Sequence, residues 1–77
     1  METMYVTFRV DSTPFCKAVG IPTRYYAVEC RGEENAKAVA IDLNSIDGVD
    51  NVRINKSGRI PKKREIIPFG ENYIKRI

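Results

Sequence analysis

The sequence predicts a small α+β domain, a mixed sheet of three to five strands with one main helix packed on one face. Three observations carry this. Residues 4–10, MYVTFRV, and 23–31, TRYYAVECR, alternate apolar and polar side chains, the period of a half-buried strand. Residues 33–47 instead repeat apolar side chains at helical spacing. A chain of 77 residues with 43% hydrophobic content holds one core and no second domain.

In the first strand Met4, Val6, Phe8 and Val10 share one face, and Tyr5, Thr7 and Arg9 the other. Thr13, Pro14 and Gly20 then fit a helix cap, a first helical position and a helix end, so a short helical turn over Pro14–Val19 is expected. In the second strand Tyr26, Val28 and Cys30 oppose Tyr25, Ala27, Glu29 and Arg31, and Gly32 ends it. The helix follows. Ala36, Val39, Ala40, Leu43 and Ile46 form its stripe, Glu33 and Glu34 suit the positive end of its dipole, and Gly48 suits its close. Ile41 falls on the flank, where a loop or a partner must cover it. Val52 and Ile54 alternate with Arg53 and Asn55 as a third strand. KSGR then offers a turn, Ile60 a returning strand, and REIIPF one more edge strand interrupted by Pro68. Residues 70–77 form a tail whose Tyr73, Ile74 and Ile77 can pack back onto the domain.

Residues 24–56 thus read strand, helix, strand: one βαβ core with parallel strands, the first strand added beside them. Met4, Val6, Phe8, Tyr26, Val28, Cys30, Val52 and Ile54 are expected to meet the helix stripe. The stretch ENAKAVAIDLNSIDGVDNVRIN resembles the helix, Gly-Val turn and strand of ferredoxin-like folds, heavy-metal-associated domains among them. The resemblance covers about 22 residues of the 77. The metal loop of that family carries a Cys-x-x-Cys pair before the helix, whereas ECRGEE holds Cys30 alone. Metal binding is therefore not carried over and no family is assigned.

Composition excludes more chemistry than it suggests. The chain has no His, the commonest acid–base group and metal ligand near neutral pH. Two separated cysteines do not make a four-ligand zinc site. The five glycines are isolated, so no phosphate-cradling loop is built. Cys16 lacks a histidine to activate it. A non-enzymatic protein without cofactors is the expectation. No apolar run approaches the roughly 18 residues of a membrane span, and METMYVTFRV is not a secretory signal. A cytoplasmic location is expected, where thiols are reduced. A buried core this small leaves a thin margin of stability, which a homodimer, a Cys16–Cys30 disulfide or a bound partner would widen.

Charge is distributed unevenly. Residues 1–50 carry five basic and eight acidic side chains, for −3, and residues 51–77 carry eight basic and two acidic, for +6. The densest part is the loop 57–65, SGRIPKKRE. Gly58 and Pro61 keep it out of a regular central strand and leave its side chains free to reach outward. Lys56, Arg59, Lys62, Lys63 and Arg64 on this strip, with Arg53 and Tyr25 on the polar sheet face, are the candidate contacts to nucleic acid. Aromatic and Arg side chains interleaved on a sheet face (Tyr5, Thr7, Arg9, Tyr25, Glu29, Arg31, Arg53 and Asn55) can stack bases and neutralise phosphates. Five phosphate contacts would give a salt slope of about −4.5. The alternative partner is an acidic protein surface, bound by an inhibitor or adaptor, of the kind phages and viruses encode, through a sheet edge and its basic rim.

Overall fold

The structure, a computed structural model, describes residues 2–10 and 23–76. The turn expected at Pro14–Val19 and Cys16 lie outside these residues. Four strands and one α-helix follow one another: β1 (Thr3–Val10), β2 (Arg24–Arg31), α1 (Glu33–Asn44), β3 (Val49–Asn55) and β4 (Glu65–Ile67), then a 3₁₀ turn at Tyr73–Arg76. They form a four-stranded mixed sheet in the order β3-β1-β2-β4 with α1 packed on one face. The α+β class is as predicted.

The βαβ unit is split. β2 and β3 run in the same direction, but β1 lies between them and pairs antiparallel with both. This gives β1 a neighbour on each side, and its Met4, Val6, Phe8 and Val10 are all buried. They meet Tyr26, Val28 and Cys30 from β2 and Ala36, Val39 and Leu43 from α1. Val49, Val52 and Ile54 pack against the same core, half-buried on the edge strand. Ile67 of β4 also joins it, fully buried, where the sequence suggested only an edge.

A bulge explains how β3 supplies three core contacts. Thr7 pairs with Arg53 but Arg9 with Asp50, so two residues of β3, Asn51 and Val52, oppose Phe8. Asn51 takes φ 54, a left-handed conformation that Asn tolerates better than most side chains. Strict alternation would set Asp50 opposite Val10 on the apolar face. The extra residue places Val49 there instead and pairs Asp50 with Arg9, whose Nε donates to the carboxylate at 2.8 Å. The irregular spacing of Val49, Val52 and Ile54 is the trace of this bulge in the sequence.

The helix ends at Asn44, three residues before the expected limit. Ser45 Oγ and the Ser45 amide both donate to the Asp42 carbonyl, and the Ile46 amide to Leu43, closing the last turn locally as serine tends to do. Gly48 then reverses the chain at φ 87. At the other end Gly32 (φ 84) takes the cap position with no side-chain cap.

The returning strand expected at Ile60 does not form. Residues 56–64 are irregular: Gly58 sits at φ 75, Pro61 has no amide to donate, and Lys63 is left-handed at φ 61. The segment leaves the β3 edge and delivers β4 to the opposite edge, parallel to β2, instead of closing a hairpin. β4 stops before Pro68. In the tail Tyr73 packs on the core, while Ile74 is exposed.

Candidate functional site

The course of residues 56–64 decides which basic side chains are available. It begins where β3 ends, and there Lys56 Nζ lies 2.9 Å from a carboxylate oxygen of Glu33, in the first turn of α1. Lys37 lies 3.6 Å from the same oxygen. The hydrogen bond and charge of Lys56, with Lys37 behind it, hold the Glu33 carboxyl below its ordinary range. Gly58 next passes the carbonyl of Thr3. The segment ends at Arg64, whose guanidinium donates from Nη1 to the carbonyls of Phe8 and Tyr26, at 3.2 and 3.5 Å. The same group lies over the ring of Tyr25, 5.4 Å from its centroid. Tyr25 projects from the sheet face opposite the helix, so the segment is laid along that face.

This changes the expected open face. Tyr5 and Thr7, read from the alternation as exposed, are 5% and 8% exposed, and Ala27 is fully buried. Only Tyr25, Arg31 and Arg53 stand clearly exposed there; Arg9, Glu29 and Asn55 are half-buried. A broad stacking platform across β1 is not available. What remains is local, at the start of β2.

Four of the seven candidate side chains come together and three stand apart. Tyr25, Lys62, Lys63 and Arg64 come together and line one shallow hollow of about 240 Å³. Lys62 and Lys63 form its turn, both exposed and neither ion-paired with a described residue. Arg59 is exposed on the same segment, as is its neighbour Ile60 at 66%. Lys56 is ion-paired with the helix, and Arg53 stands on β3, across β1 and two residues along from Tyr25, about 12 Å away at ordinary strand spacing and rise. Sequence reasoning missed the double role of Arg64, because no local signal marks a cation that folds back onto its own sheet. It also missed the left-handed Lys63.

The hollow offers cations and one phenol ring. Cys30 is a free thiol buried in the core, and burial, with the charge of Glu29, pushes its pKa up. Among the described residues no three His, Cys, Asp or Glu side chains group as a metal site requires. No described helix is long and apolar enough to cross a membrane. The chain matches no protein-family model, no curated protein and no solved structure.

Proposed function

We propose that this protein is a non-enzymatic binding module that docks a polyanion, nucleic acid in the first place, on the segment 56–64. The observation that carries this is the state of Lys62 and Lys63. Both ammonium groups are exposed without an ion-pair partner among the described residues, on a turn fixed beside Arg64 and Tyr25. Lys56, by contrast, is ion-paired with Glu33.

The split between tied and free cations sharpens the expected salt dependence. With Lys56 ion-paired to Glu33 at the surface and Arg64 bonded to two backbone carbonyls, three contacts on the segment remain without such partners among the described residues: Arg59, Lys62 and Lys63. Binding to duplex should then follow a salt slope of about −2.7, and to single strands about −2.1, in place of the −4.5 of five contacts. Sequence preference should be weak, since phosphate contacts position a protein without reading bases. The test is a fluorescence-anisotropy titration of DNA and RNA oligomers at several salt concentrations. Replacing Lys62 and Lys63 together by Ala should remove about 1.8 of the duplex slope. No binding of either nucleic acid below about 100 μM in low salt, weaker than typical non-specific binders, would end this reading.

A second reading is favoured by Ile60. An apolar side chain left exposed amid cations is the composition of a protein-contact patch, with an anchor inside a charged rim. If nucleic acid fails to bind, an acidic protein surface becomes the leading partner.

A further inference from the structure

We propose that the nucleic acid this site takes is an unpaired strand, with one base laid on the Tyr25–Arg64 stack and its phosphates between Lys62 and Lys63. The inference rests on the polyanion reading above and adds the state of the strand.

Four features of the hollow lead to it. The Tyr25 ring is 45% exposed, a large aromatic surface on a chain that buries Tyr5 and Tyr26. The ring already carries the Arg64 guanidinium, and the carbonyls of Phe8 and Tyr26 hold that guanidinium in place. A planar group therefore meets a platform that is ordered before it arrives, which lowers the entropy cost of binding. Two exposed lysines, without an ion-pair partner among the described residues, line the same hollow. Finally, at about 240 Å³ the hollow is smaller than an ordinary small-molecule pocket, roughly 300–1,000 Å³. It suits a point of contact on a polymer better than an enclosed ligand.

A duplex satisfies only half of this arrangement. It offers phosphates to the lysines, but its bases are stacked on each other and show no free ring face. An unpaired strand offers both, and every base has a ring face, so stacking on Tyr25 tolerates any sequence. Arg64 adds a cation to the stacked ring system. The contacts proposed use only a ring face and phosphates, so DNA and RNA strands should bind alike.

The experiment compares a thymine homopolymer strand with a hairpin duplex of equal phosphate number, at one salt concentration. The wild type should bind the strand at least about 5-fold more tightly. Tyr25→Ala should lose about 5- to 150-fold in strand affinity and leave the hairpin unchanged. Lys62→Ala and Lys63→Ala should weaken both ligands. Should Tyr25→Ala fold poorly, Tyr25→Trp keeps a planar ring and adds the chain's first indole. Its fluorescence should be quenched by the strand and not by the hairpin. Equal affinity for both ligands, or a Tyr25→Trp signal blind to the strand, overturns this inference and leaves the polyanion reading standing. Failure to bind either ligand removes the polyanion reading and this inference with it.

Discussion

The two faces of the sheet are covered by opposite means. On one face a 12-residue helix lays a repeated apolar stripe across three strands, and Ala36, Val39 and Leu43 vanish against Val6, Phe8, Val28 and Cys30. On the other face nine residues without regular structure cross from β3 to β4, attached chiefly through Arg64, which two carbonyls and a ring hold. Burial distributed over many atoms makes the first face robust and chemically mute. Point attachment makes the second face depend on single residues, and leaves the side chains between attachments free to meet something else.

The largest expected effect lies on the helix face. Leu43→Ala should cost about 2–5 kcal/mol, because the side chain is wholly buried. For a domain of this size that is a fall in Tm of about 8 °C or more, read by circular dichroism. An unchanged Tm would mean that the stripe does not hold the domain together. Next comes the one strong attachment on the other face. Arg64→Ala removes two hydrogen bonds and a ring contact from a half-buried group, and should cost about 1–2 kcal/mol after allowance for solvent. Arg64→Lys should recover only part of that, since an ammonium can donate to the two carbonyls that Nη1 serves but cannot lay a planar group over the Tyr25 ring. If lysine restores full stability in a urea titration, charge alone matters and the attachment is not geometric.

The same contrast governs how much was legible in the sequence. The helix face was readable because burial spread over a surface leaves periodic traces: the alternation of β1 and β2 and the stripe of α1 predicted their faces correctly. The insertion of β1 inside the βαβ unit left no such trace, and neither did the covering of its second face, since a strand buried on both faces alternates like one buried on a single face when Tyr and Thr fill the second. That is why Tyr5 and Thr7 read as exposed. The bulge at Asn51 left a trace, the broken spacing of Val49, Val52 and Ile54, legible only once the partner strand is known. The site was half legible. Charge clustering located the segment, but which cations are consumed by the fold is a long-range matter: Arg64 reaches a residue 56 positions away. Of the five basic side chains on the segment, Lys56 pairs with Glu33 and Arg64 bonds to two carbonyls.

A smaller test concerns the tail that borders the helix face. Tyr73 donates its hydroxyl to Asp42 at 2.6 Å, and its burial together with the Asp42 carboxylate pushes its pKa up to about 12 from 10.0. The folded state therefore keeps this proton after the unfolded chain has released it. The contribution of Tyr73 is fully present below pH about 10 and is lost as the pH rises towards 12. Tyr73→Phe should be slightly less stable than the wild type at neutral pH, and the gap should close across that window. A gap that stays constant up to pH 12 would show that the hydroxyl is not bound to Asp42.

The smallest expected effect is the most specific to the second face. Lys63 holds a left-handed backbone at φ 61, which costs a side-chain-bearing residue about 1–2 kcal/mol. Glycine adopts that conformation freely but loses about 0.5–1 kcal/mol in chain entropy. The two nearly offset, so Lys63→Gly should leave stability unchanged or raise it by up to about 1 kcal/mol. Lys63→Val should lower it, because a branched side chain tolerates the left-handed region worst. Lys62→Gly, one residue earlier with no positive φ, has only the entropy loss. The order Lys63→Gly above Lys62→Gly above Lys63→Val in denaturation midpoint is thus a signature of the backbone turn that aims the two lysines outward. The reverse order would place the turn elsewhere. It would also remove the geometric reason for setting Lys62 and Lys63 beside Tyr25, while leaving the helix face and its energetics untouched.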